Sequence, residues 1–172
     1  MGKGTATNEM QHDPFRLARV FASDALERAT LQYQRMQDGS GSQFSCDLHF
    51  FLTSVRDVHQ AALIVKRLEP DGPISEAIAQ FEAVAENARA MRNVGDHIDA
   101  YVLGKGHLES VTHRDLCVAS LNNNGDLRWR GGEINVHQAL EAAQVLYVAV
   151  SDASQADRAP IRMTARSSSS SF

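Results

Sequence analysis

Cysteine is scarce in this chain. Cys46 and Cys117 are the two present, too few for a disulfide framework or a cysteine-built zinc site. Each reads as a small apolar residue in a reducing compartment. Long apolar runs are also missing. No stretch approaches the roughly 18 consecutive apolar residues of a membrane span, and no apolar run follows Lys3 as it would in a secretory leader. The expectation is a cytoplasmic protein with no membrane partner. Positive charge is not in excess either: 17 Lys and Arg against 21 Asp and Glu leave a net charge of −4. That balance excludes a general nucleic-acid binder with a basic footprint over its whole surface, but not a local site for one phosphate. Walker A loops, dinucleotide fingerprints and Gly-x-Ser-x-Gly elbows are absent. His113-Arg114-Asp115-Leu116 starts like a kinase catalytic loop, but Ser120 stands where that loop needs Asn.

What is there is helical periodicity. The 172 residues, 43% of them hydrophobic, suit one soluble domain. Asp13-Pro14 reads as an N-cap with Pro at the first helical position. From there Phe15, Ala18, Ala22, Ala25, Ala29, Tyr33 and Met36 recur at threes and fours, predicting a helix over 14–37. Asp38 to Ser42 breaks it. A second helix is predicted over 44–68, with Leu48, Phe51, Val55, Val58, Ala62 and Val65 on its stripe and Phe50, Leu52 and Leu63 widening it. After the Glu69-Pro70-Asp71-Gly72-Pro73 turn, a third runs over 74–103 on Ile78, Phe81, Ala85, Ala88, Met91, Gly95, Ile98 and Tyr101, with Gly104 as C′ residue.

Residues 107–134 change character. Leu116–Leu121 and Leu127–Arg130 read as short strands around Asn122-Asn123-Asn124-Gly125-Asp126, a hairpin or small meander. Asn135 with Gln138 then opens a fourth helix, to 153, on Val136, Ala139, Ala143, Leu146, Tyr147 and Val150. The predicted fold is mainly α: a four-helix bundle over 13–153 with a short β-hairpin between the third and fourth helices. Residues 1–12 and the Ser-rich 154–172 are expected to be disordered.

The chemistry-bearing segment is Arg92-Asn93-Val94-Gly95-Asp96-His97. Asn93 and His97 are i,i+4 neighbours, one above the other on a helix face. Arg92 is five positions from His97, about 140° around an ideal helix at about 100° per residue. One protomer therefore splays the two apart unless Gly95 allows a bend, whereas a second copy can bring cation and imidazole together around a phosphate. The plain structural alternative is an exposed helix with an Arg92–Asp96 ion pair.

The Arg-Asn-x-x-x-His pattern resembles the motif of the HEPN superfamily, small helical domains in which an Arg and a polar residue precede a His by a short spacer. The extension through Asp99, Ala100 and Tyr101 to Gly104-Lys105-Gly106 is similar to uncharacterised bacterial helical proteins. The resemblance implies a metal-independent endoribonuclease acting through the ribose 2′-hydroxyl. His97 would be general acid or base, Arg92 would hold the scissile phosphate, and Asn93 would orient one of them. It also implies a homodimer, an RNA substrate and no cofactor.

The alternative is a non-catalytic helical interaction or antitoxin-like protein with a protein partner, in which Arg92, Asp96 and His97 support a dimer face. A third reading is a DinB-like metal-dependent hydrolase, prompted by seven histidines on different elements. No His-x-x-x-His spacing supports it, and His49 and His59 are ten positions apart on one helix, too far along the axis to share an ion easily. Trp129 between Arg128 and Arg130 can stack a base, or cover the helical core as a hairpin aromatic.

Overall fold

The computed structural model describes residues 13–38, 41–109 and 111–156. The expected disordered segment 1–12 and residues 157–172 of the Ser-rich tail lie outside these. The chain forms helices α1 (Pro14–Asp38), α2 (Gly41–Leu68), α3 (Ile74–Asp96), α4 (Ile98–Val102), α5 (His113–Cys117) and α6 (Val136–Ala156). Strands β1 (Ser120–Leu121), β2 (Asp126–Trp129) and β3 (Gly132–Asn135) form one antiparallel sheet in the order β1-β2-β3. The protein is therefore mainly helical with a small sheet.

The predicted stripes are the core. Ala18, Ala22, Ala25, Ala29 and Met36 of α1 are buried, and the four alanines let α1 lie close against α2 and α6. Leu48, Phe51, Leu52, Val55, Val58, Ala62 and Val65 give α2 a fully buried face. Val136, Ala139, Ala143, Leu146 and Val150 do the same for α6, which packs on α1, α2 and α3. Phe50 is a correction: placed by the sequence beside the stripe of the second helix, it is 55% exposed. It adjoins Phe51, and the 100° step between neighbours turns it away from the packed face.

The helix starts follow the capping rules. The Asp13 carboxylate accepts from the Arg16 amide at 3.0 Å, and the Asn135 side-chain oxygen accepts from the Gln138 amide at 3.0 Å. Helix α6 runs on to Ala156, with Ser154 buried, so the packed chain passes the predicted boundary at 153.

Between α3 and α6 one expectation is corrected and one choice is decided. The segment Leu116–Leu121, read as a strand, is divided: α5 takes His113–Cys117 and β1 keeps Ser120–Leu121. The cause is a capping box, in which Thr112 accepts from the Asp115 amide while Asp115 accepts from the Thr112 amide at 2.8 Å. The hairpin is a three-stranded meander. Leu127 and Ile134 pair across it and, with Trp129, are buried, so one face of the sheet joins the helical core. Asn87 fixes β3 to α3 by donating to the Glu133 carbonyl at 2.9 Å. No helix among the described residues is long and apolar enough to cross a membrane.

Candidate functional site

The predicted third helix is two helices. At His97 the backbone leaves helical geometry (φ −118°, ψ 32°), although its amide still donates to the Asn93 carbonyl at 3.1 Å. The buried stripe explains the break. It passes through Ile78, Phe81, Ala85, Ala88 and Met91 and closes on Val94, whereas Ile98 is 40% exposed. Nothing apolar holds the chain on the α3 axis past Asp96. Helix α4 then ends at the predicted Gly104 (φ +70°). The Lys105 amide reaches the Ala100 carbonyl at 2.7 Å and the Gly104 amide the Tyr101 carbonyl at 3.1 Å, a Schellman closure that reverses the chain.

That reversal builds a cavity of about 430 Å³ lined by Asn93, His97, Tyr101 and His107, with Ala90, Ala100, Gly106 and Leu108. Gly106 lies against the Tyr101 ring, so closely that a Cβ there would overlap it. A carboxamide, a phenol and two imidazoles thus share one opening, all able to donate and accept hydrogen bonds.

Of the three residues singled out in the sequence, the structure gathers Asn93 and His97 around this cavity and leaves Arg92 out of its lining. Arg92 Nη2 instead pairs with Asp96 Oδ2 at 2.9 Å, one helical turn on. The splay expected from helix geometry is present, and the break at His97 does not cancel it.

On the Arg92 side the meander brings a second arginine. Arg130 has φ +49°, a left-handed backbone rare for a residue with a Cβ, held by its amide donating to the Asp115 carbonyl at 2.9 Å. Its guanidinium lies 3.5 Å from the Trp129 ring centroid and presses on Gly95, where any Cβ would overlap it. Nη1 faces His49 Nδ1 at 3.4 Å, and the buried Nε has no hydrogen-bond partner among the described residues. Burial pulls the Arg130 pKa down to about 10, with Asp96 opposing, so it remains a cation at neutral pH. Burial and then Arg130 hold the His49 imidazole below its ordinary value, against the pull of Asp96. Arg92 and Arg130 therefore flank one carboxylate, Asp96.

The sequence offers His107 only as one of the histidines and Arg130 only as a cation beside Trp129, and places neither at the candidate site. His107 had a signal: it follows Gly104-Lys105-Gly106, a turn that returns the chain toward Tyr101. Arg130 had none at short range, since its partners Gly95 and His49 are distant in sequence. Trp129, buried at 3% exposure, serves the core and carries Arg130 on its ring rather than offering a free face. Among the described residues no group of three or more His, Cys, Asp or Glu is placed to hold a metal ion.

Comparison of the chain with protein-family models, with curated proteins and with solved structures returns no match.

Proposed function

We propose that the protein is a HEPN-like four-helix protein acting as a metal-independent endoribonuclease at the Asn93–His97–His107 cavity. The observation that carries this reading is the pairing of two imidazoles, a carboxamide and a phenol around one opening. Histidine is the side chain suited to both giving and taking a proton near neutral pH. In the proposed reaction His97 takes the proton of the ribose 2′-hydroxyl. The oxygen attacks the adjacent phosphorus, the bond to the 5′-oxygen breaks, and His107 supplies a proton to that leaving oxygen. The products are a 2′,3′-cyclic phosphate and a 5′-hydroxyl. Asn93 holds a phosphate oxygen or orients His97.

Arg92 enters differently from the simplest form of the resemblance. Within one protomer its guanidinium belongs to Asp96 and the Arg130 side, so a role on the scissile phosphate requires a second copy. The proposal accordingly includes a homodimer with the α3–α4 ends together.

The second reading, a non-catalytic protein that binds a helical partner, draws on a specific feature. Leu108 of the cavity wall, with Ile98, Val102 and Leu103 close to cavity residues in sequence, is part of an apolar set 40–67% exposed, a rim that suits a covering chain. The two separate by activity. Purified protein incubated with mixed RNA in EDTA should cleave it, and His97→Ala or His107→Ala should slow cleavage by about 100-fold or more, the scale for losing an acid–base group. Equal cleavage by wild type and His97→Ala, or loss of cleavage on chelation, leaves the interaction reading.

A further inference from the structure

A second cavity, of about 370 Å³, opens between α2 and α3 and shares no lining residue with the first. His59 forms part of its wall, buried and stacked on Phe81 with ring centroids 5.1 Å apart and planes 17° from parallel. Helix α3 departs from helical backbone at Ala85 (φ −108°, ψ 22°), a residue lining this cavity. The polar side chains around it are Arg56, Arg89, Glu82 and Glu86.

The protonation of His59 follows from its neighbours. Arg56 reaches Nδ1, and a guanidinium only donates, so Nδ1 accepts. The ring proton is then on Nε2, which donates to Glu82 Oε1 at 3.0 Å. Arg56 therefore spends a donor on the neutral His59, and turning the Gln60 carboxamide over would give it a second neutral acceptor. Neither Arg56 nor Arg89 has a carboxylate within ion-pairing distance among the described residues, whereas Arg28, Arg35, Arg92 and Arg128 each have one. Burial lowers the Arg56 pKa, and the cations Arg89 and Arg92 lower it further against Glu82 and Asp57.

We propose that the α2–α3 cavity binds a phosphate group between Arg56 and Arg89, with the sugar or base of its bearer against the apolar wall of Leu63, Phe81 and Ala88. Two guanidiniums that hold no ion pair among the described residues can meet the oxygens of a phosphate through N–H donors, although Glu82 and Glu86 share the lining. A phosphate monoester suits them best, because its second charge answers the second arginine. Glu82 is engaged by His59, and exposed Glu86 can accept from a ribose hydroxyl. The ligand is a free nucleotide or the 5′-phosphorylated end of a strand. The site does not depend on the nuclease reading.

The test is titration of the full chain with AMP, with adenosine, and with a short RNA bearing either a 5′-phosphate or a 5′-hydroxyl. Calorimetry gives the affinity, and the His59 ring resonances report the place. AMP should bind in the micromolar-to-millimolar range (about −4 to −8 kcal/mol) and shift His59. Adenosine should bind at least about tenfold more weakly, as should AMP to Arg89→Gln, the scale of one charge-assisted hydrogen bond. Arg89 is exposed, so that variant keeps its fold, and Arg128→Gln, on the meander, should bind AMP as wild type does. AMP binding without binding of the phosphorylated strand assigns a free nucleotide; preference for the phosphorylated strand assigns a strand end. Adenosine matching AMP, Arg89→Gln matching wild type, or no binding of any ligand at millimolar concentration overturns the proposal.

Discussion

Lowering the pH from 7.5 to 5 is expected to destabilise this protein through two histidines, His59 buried and His49 half-buried. His59 is 7% exposed, with Arg56 on Nδ1 and Glu82 on Nε2. Adding a proton at Nδ1 would set an N–H donor against a guanidinium. His49 meets Arg130 in the same way at 3.4 Å. Burial is the first cause holding both rings below their ordinary value. Next come Arg56 for His59 and Arg130 for His49, with Glu82 and Asp96 opposing and Arg89 and Arg92 adding to the depression. In the unfolded chain both rings take up a proton as the pH falls through about 6.5. In the folded chain uptake waits for a lower pH. The unfolded state then binds more protons, so stability falls with pH below about 6.5 and levels off once the folded rings protonate. Each ring contributes at most about 1.4 kcal/mol per pH unit, so the ceiling for the pair is about 2.7 kcal/mol per unit. Asp115 and Asp126, whose hydrogen bonds to Thr112 and Asn122 depress their carboxyls, act below about pH 4 and stay out of this window. Urea unfolding followed by the fluorescence of Trp129, the one tryptophan, at pH 7.5, 6.5, 5.5 and 5.0 measures the slope. His49→Asn and His59→Asn should each flatten it. A stability that holds level or rises from pH 7.5 to 5.5, or a slope unchanged in the double variant, would show that these two rings do not link protonation to folding.

Other outcomes follow from the packing. Trp129→Ala should cost about 3–5 kcal/mol in urea unfolding, the range for emptying a large buried aromatic site, and a loss under 1 kcal/mol would contradict its place in the core. Arg92→Ala should cost about 1 kcal/mol or less, because its ion pair with Asp96 is partly exposed (38% and 31%); cooperative unfolding lost on that change would show a structural role instead. Gly95→Ala should gain up to about 1 kcal/mol of helix propensity only when Arg130→Ala is also present, since the wild-type guanidinium occupies the space of the new methyl. A thermodynamic cycle with equal effects in both backgrounds would contradict that contact.

The helices were legible because their signals are local and repeated. Ala18, Ala22, Ala25 and Ala29 announce the buried face of α1 whatever packs on it, and Asp13 and Asn135 announce the helix starts. The meander was half legible: Asn122 to Gly125 marks its turn, but Leu116 reads as strand or helix until Thr112 and Asp115 are seen to cap each other. The break at His97 was not legible. Ile98 and Tyr101 continue the helical spacing, and only the closing of the core on Val94 shows that the helix loses its support there. For the candidate site, i,i+4 geometry placed Asn93 beside His97 and sent Arg92 elsewhere. The partners contributed by other elements, His107 and Arg130, depend on how the chain returns. Arg56, His59 and Arg89 were visible only as ordinary charges on two helices, because what gathers them is the packing of α2 on α3 around one cavity.

RNA cleavage through the 2′-hydroxyl is proposed at the His97–His107 cavity. Its most direct measurement is the product of a short oligoribonucleotide incubated with the protein in EDTA, beside the same oligonucleotide carrying a single 2′-deoxy substitution at the cut position. Mass spectrometry should find a 2′,3′-cyclic phosphate and a 5′-hydroxyl fragment from the first and intact strand from the second, with both products lost in His97→Ala and in His107→Ala. Cleavage of the 2′-deoxy strand, a 5′-phosphate product, or wild-type yields from either histidine variant would contradict it.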